Sequence, residues 1–355
     1  MNDATTIWGL NESTLRKAIA YGKLKNGIDV CKYGKQWVVS IDSMIREYGQ
    51  PKKRNIIDIA NSLEQFMAKR LFILGSINTD LVINTPYMPA KGETLIGDGF
   101  FTAHGGKGAN QAVAAARSGA NVLMCGAVGD DDFGRLAKQS LLDEGINCSF
   151  IKVVPNCPSG IAMIILSSGD NRIILDTGAN YKITNDDVDA FLQNSEPGDL
   201  FLTQLEVPIP VVGYGLKKAK EKGLYVVLNP APANKEIIPF LPYVDLITPN
   251  ENECVLLGGK DKLLKDGMTL IITLGEKGFR VVKGDFDETY PCIKIKPVDT
   301  TAAGDTFLGA MLAKLLEGKD LIESAKYGSK AASIACTRKG AQPSIPTRKE
   351  VEEYK

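Results

Sequence analysis

From residue 69 onward the chain alternates short, continuously apolar runs with longer stretches in which apolar residues recur every three or four positions. The short runs are Leu71–Gly75, Val122–Cys125, Leu200–Thr203, Tyr225–Asn229, Leu246–Thr248 and Thr269–Thr273. Short apolar runs predict strands, and the 3.6-residue period between them predicts helices. Strands alternating with helices predict an α/β fold with a doubly wound, mostly parallel sheet. Ligands of such sheets bind beyond the carboxyl ends of the strands. Several runs end there in polar or small residues: Gly75-Ser76-Ile77-Asn78, Gln204-Leu205-Glu206, Asn229-Pro230, Pro249-Asn250 and Leu274-Gly275. Gly160–Ser167 and Asn171–Asp176 alternate like a hairpin and predict a small β-flap over one face. Cys292 to Ile295 also reads as a strand. A helical pattern follows it, with Leu308, Met311, Leu312 and Leu315 on one face.

The first 50 residues carry a different rhythm. Ser13 to Tyr21 reads as a short helix stopped by Gly22, with Leu15, Ala18 and Ile19 on one face and Arg16, Lys17 and Lys23 outside. Asn11 or Ser13 is available to cap it. Ile28–Lys32 and Gln36–Ser40, joined by Tyr33-Gly34-Lys35, give a hairpin signal. Asp42 to Tyr48 reads as a second helix, stopped by Gly49. Helix, basic hairpin and helix together resemble a winged helix-turn-helix of the excisionase kind. Gln50 to Arg54 reads as a linker. Ile56 to Phe66 is helical by period. The expected organisation is therefore a helix-turn-helix-like module over 1–50, a linker and connecting helix over 51–68, and the main domain over 69–355.

Charge sharpens this division. The 355 residues have a formal net charge of zero, so nothing global points to nucleic acid or membrane. From Asn11 to Arg54, however, ten Lys and Arg stand against four Asp and Glu. A local excess of that size fits DNA contact, and equally fits a docking or oligomerisation module with a solvated basic face. Seven scattered cysteines with no C-x-x-C pair suggest reduced thiols and a cytoplasmic protein. No signal-peptide pattern and no apolar run of membrane-spanning length is seen. The single histidine, His104, excludes His-rich metal sites and Ser–His–Asp catalysis. No G-x-x-x-x-G-K-[ST] occurs, so any nucleotide is held without a P-loop.

The candidate chemistry centres on Val298-Asp299-Thr300-Thr301-Ala302-Ala303-Gly304-Asp305-Thr306-Phe307. Ala303, Gly304 and Asp305 fall where a loop becomes a helix. Backbone N–H groups at a helix start attract anions, and small residues allow close approach. A carboxylate beside such a hole suits phosphoryl transfer to an alcohol: the hole holds the phosphoryl group and Asp305 accepts the hydroxyl proton. Taken alone, Asp305 is equally readable as a helix cap. A second string, His104-Gly105-Gly106-Lys107-Gly108-Ala109-Asn110-Gln111, leads a glycine loop into an Ala-rich helix. His104 there reads as a residue that orients the loop.

Gly105-Gly106-Lys107-Gly108-Ala109-Asn110-Gln111-Ala112 and Asp299-Thr300-Thr301-Ala302-Ala303-Gly304-Asp305-Thr306 resemble the two signatures of the ribokinase-like (PfkB) sugar kinases. Gly75-Ser76-Ile77-Asn78-Thr79-Asp80, Leu228-Asn229-Pro230-Ala231-Pro232-Ala233, Thr248-Pro249-Asn250-Glu251 and Thr337-Arg338-Lys339-Gly340-Ala341-Gln342-Pro343-Ser344 resemble further strings of that family, in its order. The resemblance runs from about Lys69 to Tyr354.

The resemblance implies ATP-dependent phosphorylation of D-ribose at O5, with Asp305 as base and the Ala303 and Gly304 amides as anion hole. Asn78, Asp80, Gly106, Lys107, Gly108, Ala109, Asn110 and Glu206 would bind the sugar. Asn250, Thr273, Leu274, Gly275, Glu276, Lys277 and Gly278 would line the nucleotide with Gly304 and Asp305, and Ser329 would sit near the adenine. Glu253, in an N-x-x-E motif with Asn250, would act near Mg²⁺. Asp299, Thr301, Ala335, Arg338, Gly340 and Ser344 would form a K⁺ loop. A dimer sharing the flap is implied too. Deoxyribose or a nucleoside remains open as substrate, since one lost hydroxyl contact changes specificity without changing motifs. A sugar-sensing DNA-binding regulator is the alternative from another class. Two departures from the family stand out. Cys254–Leu264 leaves room for one helix where two are expected, and the N-terminal module is additional.

Overall fold

The computed structural model describes residues 12–25, 30–33, 36–48, 69–167, 170–265 and 267–354. It divides into two compact units, Met1–Ala68 and Lys69–Lys355. In the first, helix α1 (Glu12–Ala20) precedes strands β1 (Val30–Tyr33) and β2 (Gln36–Val39), then helix α2 (Ile41–Tyr48). The two strands pair antiparallel. Leu15, Ala18, Leu24 and Met44 are buried, while Arg16, Lys17 and Lys23 are exposed. Gly22 ends the first helix region with φ +71°, a conformation that costs glycine little. The Gly34-Lys35 turn, the stop at Gly49, the linker Gln50–Arg54 and the helix over Ile56–Phe66 lie outside the described residues.

The second unit is built on a nine-stranded sheet. Its strands are β3 (Leu71–Leu74), β6 (Val122–Gly129), β7 (Asn147–Val154), β10 (Leu200–Thr203), β11 (Tyr225–Leu228), β12 (Leu246–Ile247), β13 (Thr269–Thr273), β14 (Phe279–Lys283) and β15 (Phe286–Tyr290). The order is β15-β14-β13-β12-β11-β10-β3-β6-β7. Pairing is parallel from β13 through β7 and antiparallel between β13, β14 and β15. The continuous apolar runs follow from this position. Leu71 and Ile73 pack into one core, with helices α3 (Lys107–Arg117) and α9 (Ala303–Leu316). Phe72 and Leu74 pack into the other, with α5 (Asn185–Leu192) and α6 (Ile209–Glu221). A parallel strand covered on both faces has no polar side to alternate with. Each such large side chain contributes roughly 1.5–3 kcal/mol by leaving water.

A second sheet of four strands, in the order β5-β4-β8-β9, forms the flap. Its strands are β4 (Asn78–Asn84), β5 (Asp98–Gly105), β8 (Gly160–Ser167) and β9 (Asp170–Asp176). The expected hairpin is therefore half of a larger flap. Two corrections follow from the structure. Cys292 to Ile295 is not a strand; pairing stops at Tyr290, and Pro291 and Pro297, which lack an N–H, bracket the segment. The segment after Asn250 holds two helices rather than one, α7 (Glu251–Leu256) and α8 (Lys260–Leu263). Gly258 and Gly259, at φ +105° and +85°, turn the chain between them. Helices α4 (Asp132–Asp143), α10 (Leu321–Ala335) and α11 (Arg348–Glu353) complete the described α layer.

Candidate active site

The site lies beyond the carboxyl ends of the central strands, where β10 and β3 adjoin and the connections diverge to either side. A cavity of about 210 Å³ opens there, lined by Lys107, Asn229, Thr248, Asn250, Glu253, Thr273, Thr300, residues 302–305, Phe307 and Leu308. Helix α9 starts at its wall. Ala302, the residue before the helix, has φ +58°, and its side chain makes no cap. Such a conformation is costly for a residue with a Cβ and marks a backbone held by its surroundings. The Ala303 N–H donates to Thr300 O at 3.2 Å, and the Thr306 N–H to Ala302 O at 2.8 Å. The Gly304 and Asp305 amides have no backbone acceptor in this turn, beside the expected Ala303 amide.

Asp305 is buried and doubly held. Asn110 Nδ2 donates to its Oδ2 at 3.0 Å, and Gln111 Nε2 to its Oδ1 at 2.9 Å. Gln204 Nε2 donates to Gln111 Oε1 at 2.5 Å, which fixes the face that Gln111 turns to the carboxylate. Gln111 also donates to Asn229 Oδ1 at 3.2 Å, and Asn229 to Thr248 O at 2.8 Å. Sequence reasoning did not assign roles to Gln111, Gln204 or Asn229. The signal was present, since two of them end apolar strands. Such a network makes one rotamer of the base strongly preferred.

The expected sugar residues converge beside Asp305. Asn78 and Asp80 lie on β4; Gly105 ends β5 opposite Asn78, and Gly106 follows it. Gly106 has φ +89°, and a Cβ there would lie 2.7 Å from the Asn78 nitrogen. Asn180, missed in the sequence, accepts from the Ile77 N–H at 2.9 Å and donates to Asn78 Oδ1 at 2.7 Å. Glu206 accepts from Ser76 Oγ at 2.5 Å and from the Lys107 N–H at 3.1 Å. Burial, then Glu206 and Asp305, push the Asp80 carboxyl up to about 7. Burial pulls the Lys107 ammonium down, but Asp305, Glu206 and Glu253 outweigh it and hold its pKa above the ordinary value. Gly108 and Ala109 begin α3 and are buried.

On the other side, Asn250 and Glu253 form a capping box. Asn250 Oδ1 accepts from the Glu253 N–H and Glu253 Oε2 from the Asn250 N–H, both at 2.8 Å. Burial raises the Glu253 pKa, while the Asn250 N–H and Lys107 oppose it. Thr273 lines the cavity, and Leu274 to Gly278 follow it outside the lining, with a 3₁₀ turn at Gly275–Lys277. Ser329 is buried on α10 and does not line the cavity. Among the described residues no group of three or more His, Cys, Asp or Glu is placed to hold a metal. Mg²⁺ at nucleotide sites needs only one or two carboxylates besides phosphates and water, so the Glu253 side of the cavity fits that ion.

Asp299 accepts from the Thr301 N–H at 2.9 Å, from Thr301 Oγ1 at 2.6 Å and from the Gly340 N–H at 2.9 Å. Burial opposes its charge, but these three donors hold its carboxyl below the usual range. The Arg338 N–H donates to Ala335 O at 3.0 Å, and Ser344 Oγ to Ala341 O at 2.7 Å. An ionised carboxylate among carbonyl and hydroxyl oxygens fits a hard cation.

Residues 68–348 match the family of pfkB carbohydrate kinases. The chain belongs to that family. It is 40% identical over 302 residues to the ribokinase of Haemophilus influenzae, covering 81% of this chain and 99% of the relative. The crystal structure of the Thermotoga maritima ribokinase is similar, with 35% identity, a TM-score of 0.71, and coverage of 80% of this chain and 98% of that one. The Arabidopsis thaliana ribokinase, solved with ribose and ATP, has 30% identity and a TM-score of 0.70 over 81% of this chain and 98% of its own. Among the described residues no helix is long and apolar enough to cross a membrane.

Proposed function

We propose that the protein transfers the γ-phosphate of ATP to O5 of D-ribose, giving D-ribose 5-phosphate. One observation carries this: a buried carboxylate, held by two amide donors, stands at a helix start with two unpaired N–H groups. Asp305 accepts the proton of the sugar's O5 hydroxyl. That oxygen attacks the γ-phosphorus in line with the departing ADP oxygen. The Gly304 and Asp305 N–H groups, the helix dipole and the Lys107 ammonium stabilise the charge on the transferring group. Asn78, Asp80, Asn110 and Glu206 bind the sugar hydroxyls, and Gly106 to Ala109 wrap it. Asn250 and Thr273 line the nucleotide within the cavity, and Leu274 to Gly278 lie along it beyond, with Ser329 near the adenine. Bound Mg²⁺ would neutralise phosphate charge, with Glu253 on its side of the cavity, and Asp299, Thr301, Ala335, Arg338, Gly340 and Ser344 hold K⁺. The exposed Met163, Ile173 and Ile174 of the flap support a homodimer joined there, in the cytoplasm. The test is ADP release with ATP and Mg²⁺ across ribose, deoxyribose and nucleosides, with and without K⁺. K⁺-dependent turnover on D-ribose is expected; preference for deoxyribose or a nucleoside would move the substrate, and no turnover would overturn the reading.

A second reading concerns residues 1–50. The exposed Arg16, Lys17 and Lys23 around α1, with the hairpin and α2, support DNA binding. Gel-shift titration against DNA upstream of the protein's own gene tests it. Binding that weakens steeply with salt is expected, and none at low salt would leave a docking module.

A further inference from the structure

A second cavity, of about 300 Å³, lies on the opposite face of the flap from the sugar residues and takes no part in the reaction described. Side chains alternate across a strand. Asn78 and Asp80 face the sugar, so Thr79 faces the other way, and His104 opposite it on β5 does the same. These two form one wall. Phe133, Leu136 and Ser140 of α4 form a second, and Gln342 and Pro343, between Gly340 and Ser344 of the cation loop, a third.

The chemistry of the walls is selective. His104 Nδ1 is buried and makes no hydrogen bond; an orphaned buried polar atom of this kind costs about 1–3 kcal/mol. Burial also lowers the His104 pKa, so the ring is neutral at neutral pH. Arg117 offers no spare charge. Its Nε and Nη2 donate to Glu144 at 3.0 and 2.5 Å, and its Nη1 to Gln342 O and Ile345 O at 2.9 and 2.6 Å. The cavity therefore has no uncompensated cation to select an anion. It offers apolar faces in Phe133 and Leu136, which are 37% and 47% exposed, and polar edges in His104 and Ser140.

We propose that this cavity is an effector site for an uncharged, planar heteroaromatic molecule of nucleobase size. Its ring edge hydrogen-bonds the His104 ring and the Ser140 hydroxyl, and its faces lie on Phe133, Leu136 and Pro343. A ligand there touches the strand that carries the sugar residues and the loop that surrounds Asp299. Its occupancy shifts the affinities for sugar and K⁺, and they shift its own by the same factor. The regulatory half rests on the sugar-kinase reading; the binding half does not.

The experiment is a calorimetric titration of hypoxanthine into the full-length protein saturated with ADP and D-ribose, so that both substrate sites are filled. One equivalent is expected to bind. Leu136→Arg, which fills the cavity from α4, is expected to weaken binding at least tenfold and to leave ADP affinity unchanged. Ser140→Ala removes one hydrogen bond without adding bulk and serves if Leu136→Arg fails to fold. No binding, or binding indifferent to the variant that folds, overturns the site. If hypoxanthine binds but changes ribose and K⁺ affinity by less than about fivefold, a usual lower bound for coupling between sites, the effector role is overturned. If the protein shows no kinase activity while hypoxanthine binding is lost in the variant, the kinase reading fails and the site stands.

Discussion

The proposed sugar side and the proposed phosphate side of the site are built on opposite principles. On the sugar side, polar groups are buried and tied to one another across long stretches of chain. Gln111 meets Asp305 across 194 positions, and Ile77 meets Asn180 across 103. On the phosphate side, the working groups are backbone amides and a local capping box of four consecutive residues, Asn250 to Glu253. A sugar is recognised hydroxyl by hydroxyl, and each wrong hydrogen bond inside a buried site is costly. A phosphate needs mainly positive field at the right place, which a helix start supplies without side chains. On the proposed reading, specificity sits in a long-range network, and affinity for the nucleotide in local turns.

The comparison predicts effects of decreasing size. Asp305→Asn keeps the volume and one of the two amide contacts but removes the base. Turnover should fall by a factor on the order of 10²–10⁴, while calorimetry still finds sugar binding; unchanged turnover would mean the proton goes elsewhere.

Asp80→Asn should act through charge. Its carboxyl titrates at about 7 in the folded protein against an ordinary 3.8. Between those values the folded chain keeps a proton that the unfolded chain loses, so stability falls as pH rises from about 4 to about 7. The slope is at most about 1.4 kcal/mol per pH unit. The Asn variant loses this slope. Without sugar it should melt higher than the parent at pH 8 and nearly level with it at about pH 4, while its KM for ribose rises. Parallel melting profiles over that range would show that Asp80 does not carry the shifted proton.

Asn250→Ala removes the cap of α7. A loss of about 1 kcal/mol in stability is expected, with a raised KM for ATP and an unchanged KM for ribose. A ribose KM that rises equally would break the division between the two sides.

The same division explains what could be read from the sequence. Leu71–Leu74 and Leu200–Thr203 announced themselves because strands buried on both faces are apolar at nearly every position. Asn78–Asn84 did not, because its polar positions carry the candidate sugar ligands and its apolar ones are few. Gly106 and Gly304 were visible as small residues where an anion or a neighbouring strand comes close. Asn180 had no local signal: its partners stand about 100 positions away. The capping box of Asn250 and Glu253 was visible as N-x-x-E, yet its structural meaning emerged only with the helix. Cys292 to Ile295 misled because alternation alone does not make a strand when prolines flank it.

Helix α3 has one more consequence. It begins at Lys107, whose N–H meets Glu206, and ends at Arg117, whose guanidinium meets the Gln342 and Ile345 carbonyls. Ten steps separate the ends of this eleven-residue helix, about 15 Å at the helical rise of 1.5 Å. Adding or deleting one residue would turn Arg117 by about 100° around the axis. This helix is a ruler, and related genes should tolerate substitutions along it far more readily than insertions or deletions.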